Sequence, residues 1–351
     1  MKRIFAHANQ PGSANALVPH ILALRDLEEM TLEVFSAPSA QPVFHSHGIE
    51  TQLAPEQVPK EGWDAWLAGC DLLLTGTSFP PDLENALWSC ARRRDVPTVA
   101  VLDQSMDYAL RFQRDGNIKT AALPDLIAVI DEVAVREMVA LGFPESRLFI
   151  AGLPYLEDIA PLPDREPPLK LARELRVLFA SEPTHLSSGH GYTEHEALAT
   201  LLGALRKVLP DREVAVLCKL HPRHEPEAEA RAKACARPFL SPGLRLEVCR
   251  EGRSRNLIAA SDLVAGMSSM MLLEAARMNV PVVSIQPHLQ GADPCYLSRV
   301  GLIKTAVSEA LLVEELRAAL GGRKIRFELS ARGRHDLAAW IIASLGLKCP
   351  A

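Results

Sequence analysis

Short apolar runs alternate with helix-patterned stretches along almost the whole chain, and this alternation constrains the fold more than any other feature. In the first half the runs are "RIFA", "LEVFS", "DLLLTG", "PTVAVLD", "DLIAVI" and "RLFIAG". Between them lie "SANALVPHILALRD", with Leu17, Ile21 and Leu24 on one helical face, then "DLENALWSCARRR" and "EVAVREMVAL". Near-continuous apolar strands separated by helices predict a parallel sheet covered on both faces. The second half repeats the scheme with "LRVLFA", "EVAVLC", "LRLEV", "DLVAG" and "VPVVSI" as strands. Its helices are "EHEALATLLGALRKV", "EPEAEARAKACA", "SRNLIAA" and "SMMLLEAARMN", with "SEALLVEELRAAL" and "HDLAAWIIASL" closing the chain.

The two series are separated by "DIAPLPDREPPLKLA", whose Pro161, Pro163, Pro167 and Pro168 cannot continue a helix or a central strand. A chain of 351 residues is long for one domain. The predicted organisation is α/β, with two doubly wound Rossmann-like domains. The first spans 1–157, a linker 158–172, and the second 173–330. The C-terminal helix 331–346 is a candidate to pack back on the first domain. Two such domains place a cleft between the carboxyl ends of their sheets, where ligands of doubly wound folds bind.

Composition removes several classes. A formal net charge of −5 argues against a nucleic-acid partner. No apolar run is long enough for a membrane span, which leaves peripheral contact with a membrane open. The N-terminal segment lacks a signal-peptide pattern. The seven cysteines form no CxxC pair, so neither a disulfide framework nor a zinc site is implied, and a reduced, cytoplasmic protein is expected.

In a parallel sheet the chemistry belongs just after each strand. The expected exits read "HANQPGSAN", "TGTSFPPD", "LDQSMDY", "SEPTHLSSGHGYTEHE", "KLHPRHEP" and "GMSSMM", the most polar and Gly/Ser-rich stretches of the chain. In "GMSSMMLLEAA", Gly266 permits close backbone approach, and Ser268 and Ser269 fall where a helix N-cap and first turn belong. A helix N-terminus attracts phosphate. In "KLHP", Lys219 is a point cation, His221 can donate to a phosphate oxygen or protonate it as it leaves, and Pro222 stiffens the loop. Together Lys219, His221, Pro222, Gly266, Ser268, Ser269 and the following Glu274 describe a site for a donor's phosphate. Ser-capped helix ends and His-Pro turns are also common without any ligand.

"KLHP" followed by "SDLVAGMSS" and a helix carrying "LLEAA" resembles the C-terminal domain of GT-B glycosyltransferases, above all bacterial enzymes that use CMP-activated sialic-acid-type sugars. CDP-glycerol polymer transferases share the K-x-H-P element. The resemblance implies that His221, Ser268 and Ser269 contact the nucleotide phosphate, and that the protein transfers a nonulosonate from a CMP donor to a glycan or protein acceptor. Those families carry a D/E-D-G base motif after an N-terminal strand. Here Asp103 ends "VAVLD" with no second acid or glycine directly after it, so the chain departs from the motif. Asp103 is the expected base, His7 its competitor, and Asp107 and Glu132 weaker candidates.

Around the first exit, Asn9 and Gly12 are expected near the acceptor or sugar, with Ser13 as helix N-cap. "SEPTHLSSGHGYTEHEAL" is expected to close over the donor, with Glu194 as a sugar contact and a Thr193/Glu196 capping box starting the next helix. Its histidines lack metal-ligand spacing, and "RRRD" at Arg92–Asp95 reads as a solvated helix end. No cofactor and no metal are expected, since a helix N-terminus with Lys219 and His221 can neutralise a phosphate unaided. A non-hydrolysing UDP-sugar 2-epimerase, a CDP-glycerol-type transferase and a non-catalytic nucleotide-binding subunit are the alternatives.

Overall fold

The computed structural model describes residues 1–54, 60–113, 115–184, 189–327 and 334–347. The chain forms two compact units: Met1–Asp158 together with Leu329–Ala351, and Ile159–Glu328. Each is built on one parallel sheet.

In the first unit the strands are β1 (Lys2–Ala8), β2 (Met30–Ser36), β3 (Gln52–Leu53), β4 (Leu72–Thr75), β5 (Thr98–Val101), β6 (Leu126–Val129) and β7 (Leu148–Ile150). They lie in the order β3-β2-β1-β4-β5-β6-β7, every pair parallel. The chain runs outward from β1 to β3, then returns to lay β4 on the other side of β1. The order therefore reverses between β1 and β4, the place where ligands bind in such sheets.

Side chains alternate across these strands with period two. Ile4, Ala6 and Ala8 enter one core with Leu17, Ile21 and Leu24 of the helix Pro11–Leu24. Phe5 enters the opposite core with Phe35, Trp63, Leu87 and Trp88. The first core is completed by Leu337, Ala338, Ile341 and Ile342 of the helix Arg334–Ser344, from the far end of the sequence.

The second unit holds β8 (Leu175–Ala180), β9 (Val214–Lys219), β10 (Leu244–Cys249), β11 (Leu263–Gly266), β12 (Val282–Ile285) and β13 (Thr305–Ala306). Their order is β10-β9-β8-β11-β12-β13, again all parallel, with the reversal between β8 and β11. β3 and β13, each of two residues, carry too short a pattern to be read from the sequence.

The proline-rich segment is laid along the second unit rather than spanning open space. Leu162 donates its N–H to Met278 O and accepts from Asn279 Nδ2. Arg165 donates to the carbonyls of Ala259 and Ser261. Lys324 reaches Asp164 at 2.7 Å.

Candidate functional site

Each unit gathers polar groups at the strand exits beside its reversal point. In the first unit these are the exits of β1, β4 and β5. Asp103 follows β5 and is 4% exposed. Its Oδ1 accepts from Thr77 Oγ1 at 2.9 Å and from Arg111 Nη1 at 2.6 Å. Arg111 also donates to Gln104 Oε1 at 2.8 Å, so the guanidinium bridges two residues of the same loop. The other carboxylate oxygen faces Gly12: a Cβ there would lie 2.6 Å from Asp103 Oδ2. Gly76 stands the same way against Ser13, where a Cβ would fall 2.3 Å from the serine's own. These two glycines let the start of the helix Pro11–Leu24 close on the exits of β4 and β5. Gly12 thus makes room for Asp103. Ser13 is not the N-cap: Gln10 holds that place, and Ser13 is the third helical residue of a capping box.

His7 lies in β1, fully buried, and neither ring nitrogen has a hydrogen-bond partner. Burial pushes its pKa down to about 4, so at neutral pH it is an uncharged imidazole without access to solvent. That placement counts against His7 as the base in this state. Asn9 is half-buried and sits 3.5 Å from Ser78 Oγ.

Sequence reasoning misses Glu84. It is fully buried in the helix Asp82–Arg93, its Oε2 accepts from Ser78 Oγ at 2.7 Å, and its Oε1 has no partner. Burial pushes it up to about 7, and the charge of Asp103 adds to that rise. The signal was available: Glu84 precedes Leu87 and Trp88 by three and four residues, which puts it on the apolar face of its helix. Thr77 and Ser78, adjacent in sequence, each hold one carboxylic acid. Asp107 meets this group through its backbone, its carbonyl accepting the Arg111 N–H at 3.3 Å, while Glu132 opens the helix Glu132–Ala140.

In the second unit β8 lies between β9 and β11. Lys219 and His221 on one side, and Ser268 and Ser269 on the other, are therefore separated by the β8 exit rather than occupying adjacent ones. Lys219 turns its amine toward the carbonyls of Arg250 and Leu220, on the β10 side. His221 Nδ1 accepts the N–H of Arg223 at 3.1 Å, which leaves the proton of the neutral ring on Nε2. Burial, followed by the charges of Arg223, His224 and Lys219, pushes its pKa down to about 3. His221 is thus a neutral hydrogen-bond donor, not a loaded acid. Pro222 is exposed beside it.

Ser269 is the N-cap of the helix Met270–Arg277, its hydroxyl accepting from Met271 N. Ser268 donates both its N–H and its hydroxyl to Glu182, the second residue after β8. Gly266 serves the sheet: a Cβ there would meet Ala180 O at 3.2 Å and Ala180 Cβ at 3.3 Å. Glu274 is 8% exposed, and its pKa is raised by burial.

Glu194 departs from its expected place on a sugar. It is 1% exposed, bonded to Thr184 Oγ1 at 3.0 Å and 3.5 Å from His224 Nε2. His224 Nδ1 lies 2.9 Å from His221 N and 3.2 Å from His221 O, which turns Nε2 toward Glu194. This buried trio fastens the β8 and β9 exits to the helix Glu194–Val208, which begins with the expected Thr193/Glu196 capping box. Of the segment expected to close over a donor, residues 185–188 lie outside those described. On its C-terminal side Tyr192 donates to Gln286 Oε1 and His190 O accepts from Gln290 N.

Two parallel, doubly wound units in one chain are the architecture of the GT-B fold. Solved structures match it end to end. The UDP-GlcNAc 2-epimerase of Neisseria meningitidis bound to UDP-GlcNAc is 14% identical, with a TM-score of 0.66, over 98% of this chain and 99% of that one. The Staphylococcus aureus MnaA–UDP complex is 15% identical, with a TM-score of 0.69, over 100% and 99%. MurG of Acinetobacter baumannii is 10% identical, with a TM-score of 0.56, over 98% and 100%. No known family profile and no curated protein sequence matches the chain. Among the described residues no helix is long and apolar enough to cross a membrane.

Proposed function

We propose that this protein is a metal-independent enzyme acting on a UDP-activated sugar, and that inversion at C2 of an N-acetylamino sugar is its reaction. The observation that supports this best is the end-to-end match of both units to an epimerase bound to UDP-GlcNAc. The second unit takes the donor's phosphates through Ser268, Ser269, Arg223 and the Nε2–H of His221. Asp103 handles the proton, held in place by Arg111 and Thr77. Glycosyl transfer is the second reading, favoured by the "KLHP" and Ser-Ser segments. A CMP-linked nonulosonate is a weaker donor, since UDP is the nucleotide in the neighbours named above.

Inversion at C2 removes the C2 proton as the electron pair forms a C1=C2 double bond and expels UDP; UDP then re-adds at C1 while a proton reaches C2 from the opposite face, so C2 exchanges with solvent. Incubation with UDP-GlcNAc in deuterium oxide, with EDTA throughout and no acceptor, should give deuterium at C2 and a second UDP-sugar by NMR. UDP release that requires an added acceptor, without exchange at C2, establishes transfer instead. Turnover of CMP-nonulosonate alone restores the sialyltransferase-like reading. Dependence on magnesium or manganese refutes the metal-independent site.

A further inference from the structure

The N-terminus of the helix Met270–Arg277 already holds a negative group. Glu182 lays its carboxylate there, accepting the Ser268 N–H at 2.8 Å and the Ser268 hydroxyl at 3.2 Å. The Ser269 N–H supports it as well, and the positive charge of Arg223, from the β9 exit, favours the ionised carboxylate. One oxygen on a backbone N–H and the other on a serine hydroxyl, at a helix start, are contacts a phosphate can take over. The helix has no need of Glu182 as a cap, because Ser269 supplies one. Nor is the carboxylate there without cost: burial raises its pKa.

We propose that Glu182 is a built-in occupant of the donor phosphate position, which the diphosphate of a nucleotide must displace to bind. This rests on the phosphate site proposed above. A carboxylate and a phosphate cannot share the same N–H donors, so each arrival requires the glutamate to swing out. The swap favours a ligand with more negative charge than the carboxylate it replaces. A nucleoside without phosphates gains nothing from it. Glu182 thereby sets both the affinity for nucleotide and its dependence on phosphate charge.

The test is calorimetric titration of UDP and uridine into the wild type, E182Q and E182A, with melting curves for each, free and UDP-saturated. Glutamine keeps the shape and loses the charge. E182Q and E182A should bind UDP roughly tenfold more tightly, the scale of one charge-assisted bond no longer displaced. Affinity for uridine should not change. The melting temperature of the free variants should fall while the rise on adding UDP grows, whereas a purely structural glutamate would weaken free and bound forms alike. Equal or weaker UDP binding by both variants, with the wild type binding UDP, overturns the occupant and leaves the phosphate site standing. If neither wild type nor variants bind UDP, CDP or CMP, the phosphate site and its occupant fall together.

Discussion

Asp103 ends β5 with one carboxylate oxygen held by Thr77 and Arg111 and the other against Gly12. If it handles the reacting proton, Asp103→Asn keeps the size, removes the basicity and lowers turnover about 10²- to 10⁴-fold. UDP affinity, assigned to the other unit by the proposed phosphate site, should be nearly unchanged in calorimetry, and an active Asp103→Asn enzyme would exclude the role. Glu84 makes a separate prediction about stability. Its pKa rises from 4.5 in the unfolded chain to about 7 in the folded one. The folded state therefore holds the extra proton, and the associated stability, fully present below pH 4.5, is lost as pH rises through about 7. The loss is of order 3 kcal/mol. Glu84→Gln should abolish this fall, so wild-type and variant melting curves converge near pH 5 and separate at pH 8. Parallel pH profiles would show that Glu84 does not titrate in this range.

At the scale of elements, the helix Arg334–Ser344 closes a core begun by β1 and the helix Pro11–Leu24. Ile341 is fully buried there, so Ile341→Ala should cost about 2–5 kcal/mol, read as a lower denaturant midpoint. A loss below about 0.5 kcal/mol, the size of an ordinary surface change, would mean the helix is not part of that core. The strands and their exits are legible in the sequence because apolar alternation, Ser caps and the Thr193/Glu196 box are local patterns. The pairings that build the sites are not. Glu182 meets Ser268 across 86 residues, and Asp103 meets Thr77 across 26. Nothing local states that β8 falls between β9 and β11, so the sequence does not show that the β8 exit separates Lys219 from Ser268. Burial misleads too: Glu194 has the chemistry of a sugar contact, but its partners Thr184 and His224 draw it inward.

At the scale of the molecule, the first unit is assembled from two stretches of chain with all of Ile159–Glu328 between them. The second unit is a single uninterrupted stretch. A ribosome adds about 5–20 residues per second, so Leu17, Ile21 and Leu24 wait some tens of seconds for Leu337 and Ile341 to emerge. The second sheet has all its strands before the first has its last helix. Birth order and completion order are therefore opposite. The half synthesised first is finished last, and in that interval its uncovered helix face is the part of the nascent protein most in need of a chaperone.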